Sequence, residues 1–284
     1  MAAKNGKPPR DMCGLRDSAM KKGKILDGST VYLSGPMDFV ASRSDEKKNG
    51  WRNRVGQFLE HYGVTVYDPW NKPLAKGLGD YGKEDEFSTS KRQNWTYDDD
   101  EKGDRTRAEL CSQFWPTLHI DLRMTDTADF LVAYVPTNVY SVGTVHEIVM
   151  ARLQHKPVLF VSPQIEFPSY DKLIEHLKDD QEGSKLLEQL KDEAPLRPNE
   201  GGTPSMWYMA LVDAHYFFDG FGFAKYRKKF GWPETPLDLH ERQFPPRRPV
   251  LPYLEKMNRD GIPQRYDLQR GEYVDNPEWL IFKQ

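Results

Sequence analysis

The chain has few cysteines and no long apolar run. It contains 2 cysteines among 284 residues, Cys13 and Cys111, and they form no Cys-x-x-Cys pair. Two isolated cysteines argue against a disulfide scaffold or a zinc site and favour a reducing compartment. No stretch approaches the roughly 18 apolar residues of a membrane span, and the first residues lack the apolar segment of a secretory signal. We therefore expect a cytoplasmic protein that does not associate with membranes.

The chain also lacks an excess of charge and several catalytic motifs. With 40 basic and 43 acidic residues its net charge is −3, so nothing indicates a nucleic-acid polymer as partner. Neither Gly-x-Ser-x-Gly nor Gly-x4-Gly-Lys-Ser/Thr occurs, which argues against a serine hydrolase and a P-loop protein. The 7 histidines never stand at metal-ligand spacing. We expect neither a metal nor another cofactor.

Two polar motifs imitate ligand sites. "GLGDYG" at residues 77–82 satisfies Gly-x-Gly-x-x-Gly, but polar sequence lies on both sides, where a dinucleotide fingerprint needs a strand and a helix. The second motif has calcium-loop spacing, with oxygen donors at Asp98, Asp100 and Glu109. Lys102 occupies a position that should supply another oxygen. Both motifs are interpreted as solvated loop, which disfavours an NAD-dependent oxidoreductase and a calcium site.

A strand–helix–strand pattern opens the structured part of the chain. "STVYLSG" and "VTVYDPW" predict two strands. Between them one predicted helix places five apolar residues on one face: Trp51, Val55, Phe58, Leu59 and Tyr62. Ser44 is predicted to cap this helix and Gly63 to end it. The pattern predicts a parallel strand pair.

The same alternation continues after a polar interruption at residues 71–103. We expect a helix over 104–126, broken or bent near Pro116, and then the strand "DFLVAYVP", the helix "GTVHEIVMARLQH" and the strand "PVLFVSP". The fold class predicted is α/β, with a flavodoxin-like or Rossmann-like parallel sheet flanked by helices.

The remainder of the chain is predicted to be an extension of this fold. Charged helices are expected near 169–179 and 183–192, and "SMWYMALVDAHYFFDGFGF" is predicted to be one apolar helix. The last 54 residues hold 8 of the 21 prolines, which indicates an irregular tail.

Three parts are therefore expected. Residues 1–28 are predicted to form a flexible arm, 29–163 an α/β domain, and 164–284 a helical and proline-rich extension packed on it. The insertion at 71–103 follows a strand end, where ligands bind in open α/β sheets. We expect it to act as a lid.

One segment of the α/β domain carries more polar residues than a core requires. Asp121 lies eight residues before Asp129, and the loop after the next strand contains Asn138 and Ser141. Gly143 and Thr144 then lead into a helix, whose free N–H groups can bind an anion such as phosphate.

Glu147 is expected in the first turn of that helix. There its carboxylate would face the loop "SGPMD" at the carboxyl ends of the strands. The alternative is an acid favoured only by the helix dipole. The tight Gly-Thr turn before Glu147 and the apolar residues after it favour the ligand-facing position.

These motifs resemble the nucleoside 2-deoxyribosyltransferase family and the related 2'-deoxynucleoside 5'-phosphate N-hydrolases. The similarity covers roughly residues 29–163 and is carried by "VYLSGPM", "DLRMTDTAD" with "FLVAYV", and "SVGTVHE". The resemblance implies that Glu147 is the nucleophile, that Tyr32 orients its carboxylate, and that Asp121 handles the nucleobase or a proton. The substrate-binding residues expected are Ser34, Gly35, Pro36, Met37, Asp38, Asn138, Ser141, Gly143 and Thr144.

The resemblance leaves the reaction open between two branches. The transferases often carry Asp-Gly in the loop before the glutamate, whereas Ser141 is similar to a phosphate-holding serine of the hydrolases. We expect N-glycosidic bond cleavage and transfer on (deoxy)nucleosides. A 5'-monophosphate N-hydrolase is the alternative, and a catalytically silent nucleotide sensor is the non-enzymatic one. The resemblance also implies a homo-oligomer with active sites completed across a subunit interface.

Overall fold

Five parallel strands form the central sheet of the protein. The structure, a computed structural model, describes residues 24–37, 43–71, 93–139, 141–193 and 202–279. The strands are β1 (Thr30–Ser34), β2 (Thr65–Tyr67), β3 (Phe130–Tyr134), β4 (Val158–Val161) and β5 (Phe217–Phe218). Their order is β2-β1-β3-β4-β5, which is the flavodoxin-like order. The predicted fold class is confirmed.

Strands β3 and β4 are almost entirely apolar because helices cover both faces of the sheet. All of β4 and all but the last residue of β3 are buried. Tyr32 of β1 pairs with Leu131 of β3, and Ser34 pairs with Ala133. The carboxyl ends of β1 and β3 therefore lie side by side at one edge of the sheet.

Two helices, α1 (Arg43–Asn49) and α2 (Trp51–Glu60), replace the single helix predicted between β1 and β2. The break falls at Gly50, whose backbone is extended with ψ 173°. The predicted cap at Ser44 is wrong, because α1 already begins at Arg43. The predicted apolar face is confirmed: Trp51, Val55, Phe58 and Leu59 are buried and Tyr62 packs against them. Gly63 follows α2 with a φ of +79°, a conformation that favours glycine.

Helix α3 (Glu101–Thr127) is 27 residues long and is not broken at Pro116. It begins earlier than predicted because Asp100 caps it: the carboxylate accepts a hydrogen bond of 2.6 Å from the Gly103 N–H. The side chain that suggested a calcium loop is thus a helix cap.

Helix α4 (Val142–Leu153) connects β3 to β4, and α5 (Pro168–Leu177) and α6 (Gln181–Glu193) follow β4 as predicted. None of the described helices combines the length and the apolar character that crossing a bilayer requires.

The apolar helix predicted from "SMWYMALVDAHYFFDGFGF" is wrong. Only α7 (Met206–Leu211) forms there; Val212 is extended, and the Asp213 carboxylate accepts a hydrogen bond from the His215 N–H to start a 3-10 turn. Phe217 and Phe218 then pair with β4 as the fifth strand. Aspartate ends helices by bonding nearby backbone groups, and aromatic residues suit a half-buried strand.

The irregular tail expected at the end of the chain is also wrong. Helix α8 (Ala224–Phe230) ends just before the last 54 residues, which contain α9 (Pro236–Gln243), α10 (Val250–Asp260) and the hairpin of β6 (Gln264–Asp267) and β7 (Glu272–Asp275). Pro236 is the first residue of α9, and Pro249 precedes α10. Proline suits a helix start because its missing N–H has no partner there.

A buried ion pair anchors this extension to the sheet layer. Arg54 of α2 is 1% exposed, and its guanidinium donates to Asp238 at 2.8 Å and to Thr235 at 3.1 Å. The same guanidinium lies 4.1 Å from the ring centroid of Phe223. Since Thr235 and Asp238 also form the capping box of α9, one cation secures the start of that helix.

We predict that Arg54→Met lowers the free energy of unfolding by about 3–5 kcal/mol, because it leaves the buried Asp238 carboxylate without its cation. Chemical denaturation monitored by circular dichroism measures the loss. The control is Arg105→Met, which removes an ion pair whose side chains are 78% and 61% exposed and should cost at most about 1 kcal/mol. Equal losses in the two variants would show that the Arg54 pair does not anchor the extension.

Candidate functional site

Glu147 lies in the second turn of α4, on the face that packs against the sheet. The buried residues of this helix are Thr144, Glu147, Ile148 and Ala151, spaced i, i+3, i+4 and i+7. The first-turn position predicted for Glu147 is wrong because α4 begins at Val142, with Ser141 as its N-cap residue. Stabilisation by the helix dipole falls off within the first turn. The dipole alone therefore does not explain a glutamate here.

Both carboxylate oxygens of Glu147 accept hydrogen bonds from β1. Tyr32 Oη donates to Oε1 at 2.8 Å, and Ser34 Oγ donates to Oε2. The two donors stand two residues apart on a strand, so they point to the same face of the sheet. The contact expected between Tyr32 and Glu147 is present. Ser34, expected among the substrate-binding residues, donates a hydrogen bond to the carboxylate of Glu147.

The third predicted catalytic residue, Asp121, lies on α3, and its charge acts on Tyr32. It stands four residues from both Thr117 and Thr125, the buried residues in the second half of α3, and its Oδ1 atom is buried. Burial raises the pKa of Tyr32 well above its usual value, and the negative charges of Glu147 and Asp121 raise it further. Tyr32 therefore keeps its proton and donates a hydrogen bond to the glutamate.

The loop after β1 needs a glycine for a steric reason. A Cβ on Gly35 would lie 2.7 Å from Cζ2 of Trp51 and 3.2 Å from the carbonyl oxygen of Tyr134. Pro36 is buried and Met37 is half-buried. The glycine thus lets the end of β1 pass closely between α2 and β3.

Several of the expected positions lie outside the described residues. These are Asp38 of the strand-end loop, residues 72–92 of the expected lid and residues 1–23 of the expected arm.

The loop between β3 and α4 brings two hydroxyl groups together. Ser141 Oγ lies 2.6 Å from Thr144 Oγ1, and Thr144 is only 1% exposed. Asn138 and Gly143 are exposed, and a Cβ on Gly143 would meet no atom within 4 Å. The start of α4 therefore presents an open surface next to the hydroxyl pair.

Arg52 of α2 is a residue of this site that the sequence analysis missed. It is 1% exposed, and its guanidinium donates to the carbonyl oxygens of Leu33 at 3.1 Å, Pro36 at 3.2 Å and Gly35 at 2.5 Å. A signal was present, since position 52 shares a helical face with the apolar positions 55 and 59. A charged residue in such a row indicates a buried, partnered cation.

The described residues offer no obvious metal site. They contain no group of three or more histidine, cysteine, aspartate or glutamate side chains that could hold a metal ion.

The solved structures that this chain resembles include two of low similarity. A conserved protein from Enterococcus faecalis V583 aligns with a TM-score of 0.31 and 15% identity, over 65% of this chain and 86% of that one. A 2-deoxyribosyltransferase from the psychrotolerant bacterium Bacillus psychrosaccharolyticus aligns with a TM-score of 0.27 and 17% identity, over 60% and 99%. No family model and no curated protein matches the sequence. At these scores neither structure supports an inference about function.

Proposed function

We propose that the protein cleaves the N-glycosidic bond of (deoxy)nucleosides and transfers the glycosyl group to a second nucleobase, with Glu147 as the nucleophile. The observation that carries this proposal is the hydrogen-bonded carboxylate of Glu147. Tyr32 and Ser34 each donate a hydrogen bond to a different oxygen of this carboxylate, at the carboxyl edge of the sheet. This edge is where ligands bind in open α/β folds.

The environment of Glu147 suits a nucleophile. The residue is 8% exposed, so its carboxylate is largely shielded from water. Two neutral hydroxyl donors stabilise the charged form and fix the direction of both oxygens.

The proposed reaction has two steps that pass through a glycosyl–enzyme ester. In the first, an oxygen of Glu147 bonds to C1' while the C1'–N bond breaks and its electron pair leaves with the base. Asp121, in its protonated form, supplies the proton that the departing base takes up. In the second, a nitrogen of the incoming base attacks C1' and releases Glu147, and a proton returns to Asp121. The carboxylate stabilises the positive charge that develops on the sugar in both steps.

A 5'-monophosphate N-hydrolase is the second candidate, favoured by the hydroxyl pair at the start of α4. Ser141 and Thr144 lie beside a helix N-terminus, which attracts anions. Water would then replace the second base as the acceptor. A nucleotide sensor remains the non-enzymatic alternative, in which the same site binds a nucleotide without a reaction.

Product analysis separates these three functions. The full-length protein is incubated with a deoxynucleoside or a deoxynucleoside 5'-monophosphate, with and without an acceptor base, and the products are separated by chromatography. A new nucleoside that forms only with the acceptor supports transfer. Free base without acceptor supports hydrolysis. Bound but unchanged nucleotide in every arm would overturn both enzymatic functions and leave the sensor.

We predict that Glu147→Gln lowers kcat about a thousandfold or more, because an amide oxygen is a poor nucleophile and the loss of a nucleophile removes a whole reaction path. Steady-state kinetics measure the loss, and circular dichroism checks that the fold is retained. Glu109→Gln, at a position 61% exposed, is the matched control and should keep wild-type activity. Turnover by Glu147→Gln within about tenfold of wild type would rule out the assignment.

We predict that Ser141→Ala raises KM for a monophosphate substrate about tenfold to a hundredfold and leaves KM for the matching nucleoside nearly unchanged. Hydrogen bonds to a charged group contribute about 1.5–3 kcal/mol each. The Ser141 side chain makes no capping bond to the backbone of α4, so its loss should not destabilise the helix. Thr144→Ser keeps both hydroxyls and should keep the wild-type preference. Equal changes for both substrates would favour the nucleoside transferase.

We also propose a homo-oligomer that uses the outer face of α4. This face exposes Val142, Val145, Val149 and Leu153, with exposed fractions of 46%, 37%, 38% and 77%, and such apolar surface is typical of interaction sites. Light scattering of the wild type should give a multiple of 33.0 kDa, and Val149→Asp should reduce the mass toward the monomer. A wild-type monomer at micromolar concentration would contradict the proposal.

A further inference from the structure

We infer that Arg52 is a positioning residue for the proposed reaction: its guanidinium fixes the strand-end loop that holds Ser34 against Glu147. This inference rests on the proposed function of Glu147. It concerns a residue of α2, on the opposite face of the sheet from α4.

The carbonyl groups that Arg52 contacts belong to residues on both sides of Ser34 in the sequence. The guanidinium donates to the Leu33 carbonyl before Ser34 and to the Gly35 and Pro36 carbonyls after it. Ser34 in turn donates to Oε2 of Glu147. A displacement of this loop would therefore move the hydroxyl that orients one oxygen of the carboxylate.

Only an arginine fits this position. Its planar group presents N–H donors in several fixed directions, whereas a lysine ammonium is a compact charge on a flexible stem. The guanidinium lies 4.7 Å from the ring centroid of Trp51, and its Nε lies 4.0 Å from Oδ1 of Asp68. These contacts hold the donors in place under the loop.

The positive charge of Arg52 is a second way in which this residue can act on Glu147. Burial lowers the pKa of the guanidinium, and the charges of Asp68, Glu46 and Glu147 act in the opposite direction. Burial raises the pKa values of Glu46 and Asp68, and Arg52 limits both shifts. The titratable groups around it come from five parts of the fold: Tyr32 on β1, Glu46 and Lys47 on α1, Asp68 after β2, Asp121 on α3 and Glu147 on α4. A cation here favours the ionised nucleophile.

The test compares Arg52→Lys and Arg52→Gln by measuring kcat and KM against pH in the full-length protein. Arg52→Lys keeps the charge but not the three directed hydrogen bonds, so kcat should fall about tenfold to a hundredfold with little change in KM. The acid limb of the pH profile of kcat should stay at the wild-type pH for Arg52→Lys. Arg52→Gln also loses the charge, so its acid limb should move about one pH unit upward.

Arg54→Lys is the matched control, since Arg54 is an equally buried arginine on the same helix whose partners are in the extension. It should lower stability without moving the acid limb or kcat. A merely structural Arg52 would behave in the same way, and that result would overturn the inference.

A second measurement covers the case in which Arg52→Gln does not fold. If Arg52 acts through Ser34, the effects of Arg52→Lys and Ser34→Ala on kcat should be strongly non-additive. Additive effects would overturn the inference.

The Glu147→Gln variant distinguishes a failure of the inference from a failure of the proposed function. If Glu147→Gln retains activity, the proposed function fails and the inference fails with it. If it is inactive while the Arg52 variants match Arg54→Lys, the inference alone fails.

Discussion

The two hydrogen bonds between β1 and Glu147 set the requirements that the surrounding structure meets. A carboxylate that is 8% exposed loses most of its hydration, and burial without compensating donors would be costly. The strand supplies those donors from Tyr32 and Ser34. They reach the glutamate only if α4 packs flat on β1 and if Glu147 occupies the inward side of that helix. The strand register and the position at which α4 starts must therefore both suit the Glu147 carboxylate.

The end of β1 connects the two helical layers. Its side chains at positions 32 and 34 point to α4, whereas its carbonyl oxygens at positions 33 and 35 accept hydrogen bonds from Arg52 of α2. The side chains and the backbone groups of a strand point in different directions, so one short segment can contact both helical layers. Gly35 permits this arrangement because any side chain there would collide with Trp51. The sequence Ser-Gly-Pro therefore combines a donor, a close approach and a rigid turn.

Periodicity accounts for what the sequence could predict. The alternation along β1 places Tyr32 and Ser34 on one face, and helical spacing places Glu147 with Ile148 and Ala151. Arg52 was missed although helical spacing offered a signal, whereas two other missed features depend on partners far along the chain. The strand Phe217–Phe218 is only 2 residues long and is defined by its pairing with β4. Arg54 and Asp238 are 184 residues apart, so no local pattern predicts that α9 docks on α2.

The two carboxyl groups of the proposed reaction need opposite protonation states. Glu147 accepts hydrogen bonds on both oxygens from neutral donors, which favours the charged form. Asp121 lies on α3 with one oxygen atom buried, and its charge acts on the same Tyr32 hydroxyl group that donates to Glu147. A second carboxyl group near an ionised one is easier to protonate, as acid–base pairs in other sites require. In the proposed reaction, the negative charge of Glu147 would help to keep the proton on Asp121 until the base departs. The ester formed at Glu147 would remove that charge when the acid has given up its proton.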